Sequence, residues 1–168
     1  LSRAERIRMA IEELGPTYIK LGQVLSTRPD LIPEEFITEL TRLQDDVPPF
    51  GFDETEKIIL SEFGVPYDAL FEIKEKTPVA SASIAQVYRA KSSDGEILAV
   101  KVQRPGIKRI IEVDLEIMLH LATLMERHIE EFALHRPVRI VEEFTRVLEN
   151  EIDFTIEAAS MERIAAMF

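Results

Sequence analysis

The chain has 168 residues, 46% of them hydrophobic, and a net charge of −11. That composition supplies a packed core for one domain, or for a lobe with an extension, and argues against disorder. Its acidic balance argues against a nucleic-acid partner, whose phosphates demand basic surface. The lack of any cysteine excludes a disulfide framework and thiolate metal sites, and favours a reducing compartment.

No stretch reaches the roughly 18 apolar residues that a membrane span requires. The best candidate, Ile117 to Met125, contains His120 and is flanked by Glu116 and Glu126, so it is expected to be a core helix. No secretory signal pattern is present. The three histidines, His120, His128 and His135, are expected to be solvated helix residues. Because the chain opens at Leu1 and stops at Phe168 inside a helical pattern, it is expected to be an excised piece of a longer protein.

In chain order, Ser2-Arg3-Ala4-Glu5 has the spacing of a capping box and opens a helix through about Leu14. Gly15-Pro16 breaks it, and a second helix runs from about Thr17 to Ser26. After the Arg28–Pro33 loop, Pro33 starts a third helix through about Leu43. Asp45 to Gly51, with Pro48-Pro49, is a linker. Asp53 and Glu56 are expected to cap a fourth helix ending at Phe63-Gly64. An edge-like segment, Phe71 to Lys76, precedes the strands.

The segment Pro78 to Val102 is the most informative. It predicts a strand, a tight turn of small residues from Ala80 to Ala85, a second strand, an Asp94-Gly95 hairpin and a third strand carrying Lys101. In that third strand Leu98, Val100 and Val102 share one face, and Ala99, Lys101 and Gln103 the other. The Lys101 ammonium is thereby placed to reach phosphates held under the small-residue turn. From about Ile107 the pattern is helical: Ile110, Ile111, Val113, Ile117, Leu121, Leu124 and Met125 form an apolar stripe. A break at His135-Arg136-Pro137 precedes a last helix from about Val138 to Met167. The expected fold class is α+β, a small antiparallel sheet with long helices, having a helical extension over residues 1–50 and a lobe over 51–168.

Three motifs in register carry a resemblance. Lys20-Leu21-Gly22-Gln23 resembles the KxGQ signature of the UbiB family of atypical kinases, the aarF-domain group. Ala80-Ser81-Ala82-Ser83-Ile84-Ala85-Gln86 resembles that family's alanine-rich nucleotide loop, and Glu151-Ile152-Asp153-Phe154, with Glu157-Ala158-Ala159, its ExD motif and the segment after it. The resemblance implies a protein-kinase-like N-lobe with a helical extension over the place where a protein substrate would sit. It also implies ATP or ADP with Mg as cofactor, and a role in ubiquinone or other prenyl-lipid biosynthesis. Isoprenoid or quinone lipids and quinone-biosynthesis proteins are its implied partners. The implied location is peripheral to a membrane, on the cytoplasmic or organelle-matrix side, with membrane contact through segments outside this chain.

In this reading Lys101 pairs with the α- and β-phosphates and is positioned by a glutamate, which motif alignment makes Glu157. Residues Ala80, Ser81, Ala82, Ser83, Ile84, Ala85 and Gln86 line the nucleotide. Alanine in the left-handed conformation costs about 1–2 kcal/mol, so the loop is expected to avoid the usual glycine-loop shape and to alter nucleotide orientation or preference. The Ser81 and Ser83 hydroxyls are available as phosphate donors.

On one regular helix Glu151 and Asp153 point about 200° apart, whereas Asp153 and Glu157 share a face. Asp153 and Glu157 are therefore assigned to the cleft, and Glu151 to the extension at Lys20, although the family pattern treats both ExD acids as functional. Lys20 and Gln23 are adjacent on their helix, and Gly22 permits close packing. Arg28-Pro29-Asp30 and Arg104-Pro105-Gly106 are expected to be structural turns.

No H-R-D, K-x-D-x-x-x-x-N or D-F-G pattern occurs, so no complete metal site is expected here, and the chain alone is not expected to turn over nucleotide efficiently. The alternative is a non-catalytic pseudokinase or a lipid- or partner-binding module, with Ile7, Ile11, Leu14, Ile19, Leu21 and Leu25 forming an apolar groove.

Overall fold

Helix α1 (Arg3–Leu14) starts on the expected capping box: the Ser2 hydroxyl accepts from the Glu5 amide at 3.0 Å, and the Glu5 carboxylate accepts from the Ser2 amide at 2.6 Å. Gly15, at φ 107°, turns the chain, and Pro16 opens α2 (Pro16–Leu25). Helix α3 (Glu34–Leu40) follows Pro33 and ends a turn short of the expected Leu43. The computed structural model describes residues 1–167, so Phe168, the end of the expected lobe, lies outside the described residues. They form two units, one from residues 1–43 and from 108 onward, the other from 44–107.

In the first unit α1, α2 and α3 close around Ile19, Leu40 and Leu43, with Ile11, Leu25 and Ile32 at the margin. Gly22 is buried in this cluster. A Cβ there would collide with Leu43 Cδ1 and lie in ordinary contact with Leu40 and Ile11 at 3.5 and 3.6 Å, so the glycine lets α2 approach Leu43 closely. Beyond the other unit come α5 (Ile107–His128), α6 (Glu130–Ala133), α7 (Pro137–Ile152) and α8 (Phe154–Met167). Helix α5 buries Ile111, Met118 and Ala122, and α7 buries Val141, Phe144 and Leu148, the spacing of amphipathic helices. The Glu126 carboxylate accepts the Val138 amide at 3.0 Å and so caps α7.

The single helix expected from Val138 to Met167 is two. Asp153 sits between α7 and α8 at φ −83°, ψ 93°. Its Oδ1 accepts the Thr155 amide at 3.0 Å and also the Thr155 hydroxyl. That local bond competes with continuation of the helix and starts α8 afresh. The argument that Glu151, Asp153 and Glu157 lie on one regular helix therefore does not hold.

The second unit begins with the 44–51 linker and α4 (Phe52–Phe63). Gly51 is the N-cap of α4 and no side chain caps it, so Asp53 is not the cap expected; it lies in the first turn, where a carboxylate favours the helix dipole. The antiparallel sheet has the order β1 (Ala80–Ser81), β2 (Ala85–Lys91) and β3 (Ile97–Gln103). From the expected edge segment, only Glu72 pairs, in a single bridge with Lys91. Gly95, at φ 87°, closes the β2–β3 hairpin. The core beneath the sheet is Tyr88, Ala90, Val102 and Ile73, bordered by Phe50, Phe52, Tyr67 and Leu98 among others. Phe52 meets Tyr67 and Tyr88 edge-on, at centroid distances of 5.1 and 5.5 Å.

The packing at Gly22 predicts that Gly22→Ala destabilises the chain by about 1 kcal/mol, overpacking of about 1–3 kcal/mol outweighing a helix gain of about 1 kcal/mol. In a double-mutant cycle with Leu43→Ala the penalty should vanish, as read by urea unfolding. A Gly22→Ala variant as stable as the parent would show that Leu43 swings aside.

Candidate functional site

The register of the sheet decides what stands beside Lys101. Ala80 pairs with Val87, and Val87 with Lys101, so these three residues cross the sheet in one row on the same face. Ser81, Gln86 and Val102 form the neighbouring row, on the face that carries the core. Lys101 is exposed and Val102 buried, the alternation expected of β3. The small-residue loop connects the ends of β1 and β2 beside these two rows.

The loop has no residue at positive φ, as expected of alanine in place of glycine. Its turn closes with the Ala82 amide donating to Ala85 O at 2.8 Å. Ser83 is 1% exposed and its hydroxyl has no hydrogen-bond partner, so in this conformation it is not available to a phosphate. The Gln86 side chain is also buried: Oε1 accepts the Phe50 amide at 3.2 Å, and Nε2 donates to Phe50 O at 3.1 Å and to the Tyr88 hydroxyl at 2.6 Å. The Tyr88 hydroxyl in turn shares a 2.9 Å hydrogen bond with Thr55. Gln86 therefore ties the linker to β2, and its amide is committed to that task. The Val47 amide adds a 3.3 Å bond to Ser81 O.

Arg104, expected as a plain turn residue, is bonded along the whole loop. Its backbone amide donates to Ile84 O at 2.8 Å. Nε donates to Ser83 O at 3.2 Å, and Nη2 to Ala82 O at 3.0 Å and Ser81 Oγ at 3.1 Å. Nη1 reaches Pro48 O at 3.3 Å, and the guanidinium lies 5.4 Å from the Phe50 ring centroid. Burial lowers the Arg104 pKa from its ordinary value, yet arginine stays protonated. The signal for this role was the loop itself, whose alanines bring no side-chain donors.

The other candidates lie in the first unit. Lys20 Nζ is 3.5 Å from Glu151 Oε2, the contact expected between the extension and the first acid of the ExD segment. The same helix α2 is fastened to α5 by the buried Thr17, whose hydroxyl donates to Asp114 Oδ2 at 2.7 Å. Burial, with Asp114 nearby, pushes the neighbouring Tyr18 phenol up. Arg28 makes a two-pronged bond to Asp30 at 3.0 and 2.9 Å and stands 3.9 Å from Glu143, which fits the structural turn expected. Gly22 and the half-buried Gln23 follow Lys20 on α2, and Glu157 lies in the first turn of α8. Lys101 and the loop belong to one unit, and Lys20, Glu151, Asp153 and Glu157 to the other.

Lys101 is exposed on one face of the sheet, in the row that also holds Ala80 next to the small-residue loop. Among the described residues no group of three His, Cys, Asp or Glu side chains is placed to hold a metal ion. Among the same residues no helix is long and apolar enough to cross a membrane.

Together the three-stranded sheet, the long helices and the extension make a protein-kinase-like N-lobe of the α+β class with a helical N-terminal extension. The ABC1 atypical kinase-like domain matches residues 42–168, and the chain belongs to that family. The Probable protein kinase UbiB of Marinobacter nauticus is 41% identical over 168 residues, all of this chain and 31% of its own length. Its counterpart in Aeromonas salmonicida is 44% identical over 161 residues, 95% of this chain and 30% of its own length. The chain thus spans about a third of the length of the curated relatives it matches. A solved structure, the complex of Rv3197 with erythromycin from Mycobacterium tuberculosis, is 27% identical with a TM-score of 0.39, covering 95% of this chain and 37% of that one.

The Thr155 bonds hold the Asp153 carboxyl below its ordinary value of 3.8. A carboxyl depressed in the folded state contributes its stability above the unfolded value and loses it as pH falls through the folded one. The start of α8 should therefore loosen only below about pH 4. An NMR titration should place Asp153 below 3.8, and Thr155→Val should raise it. An unchanged midpoint in that variant would remove Thr155 as the cause.

Proposed function

We propose that this chain is the nucleotide-binding portion of a UbiB-like atypical kinase or ATPase that uses ATP or ADP with Mg and supports ubiquinone or other prenyl-lipid biosynthesis. Residues 1–50 act as a regulatory extension carrying Lys20, Gly22 and Gln23, and residues 51–168 as the nucleotide lobe. The observation that carries the reading is the row Ala80–Val87–Lys101 across one sheet face, beside a loop without positive φ. Lys101 binds the phosphates as a point charge, Glu157 positions it, and Asp153 serves the cleft. Mg supplies charge neutralisation on the phosphates when bound. Lys20 holds Glu151 across the extension, so release of that pair accompanies any movement of α2.

Quinone or isoprenoid lipids and quinone-biosynthesis proteins are the proposed partners, at a membrane surface on the cytoplasmic or organelle-matrix side. An apolar groove on the extension has less support. Of its six candidate residues, Ile11, Ile19 and Leu25 are taken up in the packing of α1, α2 and α3.

Two substitutions test the reading. Lys101→Ala should abolish nucleotide turnover by the whole protein while the far-UV circular dichroism and unfolding midpoint stay close to wild type, because the side chain is on the exposed face. Turnover at the wild-type rate would sink it. Ala82→Gly should shift the affinity ratio of ADP to ATP or release autophosphorylation. If both stay put, the alanine loop has no part in selectivity.

A further inference from the structure

The loop from Ala80 to Ala85 has one internal backbone bond, from the Ala82 amide to Ala85 O at 2.8 Å, and few side-chain groups with which to fix the rest of its shape. Ala80, Ala82, Ile84 and Ala85 bring no polar side-chain atom, and the Ser83 hydroxyl is buried without a partner. Glycine-type geometry is absent, since no loop residue has positive φ. What holds four consecutive residues, Ser81 to Ile84, is Arg104, through its guanidinium and its own amide. Each peptide is trans and planar, so drawing the Ala82 and Ser83 carbonyls towards the guanidinium turns the Ser83 and Ile84 amides the opposite way. The direction of the loop's amide dipoles is thus set by a side chain 21 to 23 residues along the chain.

Arginine suits this task and lysine does not. A planar fork with five donors meets several acceptors at fixed angles, whereas an ammonium on a flexible stem meets them one at a time. The four acceptors of the guanidinium, Ser83 O, Ala82 O, Ser81 Oγ and Pro48 O, are all uncharged. Its positive charge is therefore not spent on a carboxylate in these bonds, and it adds to the potential felt by an anion near the loop. Phe50, under the guanidinium plane, and Pro48 anchor the arginine from the linker side.

We propose that Arg104 is a positioning residue of the nucleotide site: it clamps Ser81 to Ile84 in a single conformation and so sets nucleotide affinity without touching the nucleotide. The proposal rests on the nucleotide-binding reading of the loop. It is tested on the whole protein with Mg·ADP and Mg·ATP as probes, by calorimetric affinity, together with amide hydrogen exchange without nucleotide. Arg104→Ala should weaken binding about tenfold or more, the scale of losing several bonds to a charged group. Exchange should quicken at the amides of Ala82 to Ala85 and stay unchanged in β2 and β3 beyond them. Arg104→Lys, with the charge but not the fork, should recover less than half of the lost affinity on a logarithmic scale. If Arg104→Ala fails to fold, Arg104→Lys and Arg104→Gln decide by the same two readouts. Wild-type affinity in a variant with quickened exchange would overturn the proposal, as would unaltered exchange. A wild-type protein that binds neither probe would instead sink the nucleotide reading, and quickened exchange confined to the loop would leave the clamp itself standing.

Discussion

A connection built of alanine and serine has little freedom to visit the left-handed region and few side-chain groups with which to brace itself. The second unit is arranged around that constraint. Arg104 reaches in from the end of β3, and Val47 and Gln86 bind the linker to β1 and β2. The buried chain from Phe50 through Gln86 and Tyr88 to Thr55 carries the same fixation down to α4. Each buried donor in that chain has an acceptor, which matters because an unsatisfied buried amide costs about 1–3 kcal/mol. The buried Ser83 hydroxyl, within the loop itself, is left without a partner.

The first unit solves a different problem, that of holding an extension helix against two others by few contacts. Gly22 brings α2 close to Leu40 and Leu43 on one side. On the other, Thr17 bonds to Asp114 and Lys20 meets Glu151. The neutral–charged bond from the buried Thr17 is short and partly buried, while the ion pair is longer and more exposed. Buried hydrogen bonds to a carboxylate are worth more than partly exposed ion pairs. Thr17 therefore gives α2 a firm anchor on α5, beside the more exposed pair of Lys20 with Glu151.

Much of this was legible in the residues because it is local. The Ser2–Glu5 box, the Asp94-Gly95 hairpin and the alternation along β3 are each determined within a few positions, and each is found as expected. The Lys20–Glu151 contact was also foreseen, but from a helix geometry that the structure replaces. The break at Asp153 escaped because Val138 to Met167 is apolar and acidic at helical spacing throughout. The clue was Asp153 two residues before Thr155, an arrangement in which a side chain can take over the backbone's bond. Arg104 escaped for the opposite reason: Arg-Pro-Gly resembles a simple turn, and its partners lie far away along the chain.

The linker has a consequence for how the lobe is handled as an isolated object. A cut after Phe50 would remove both backbone partners of the Gln86 amide, the Pro48 acceptor of Arg104 and an aromatic ring from the core. It would also strip Val47 from the flank of β1. The lobe would then expose apolar surface and bury a carboxamide left with the Tyr88 hydroxyl alone, the conditions under which truncated domains aggregate. A boundary ahead of Gln44, where the second unit begins, keeps every one of these partners on the same piece of chain.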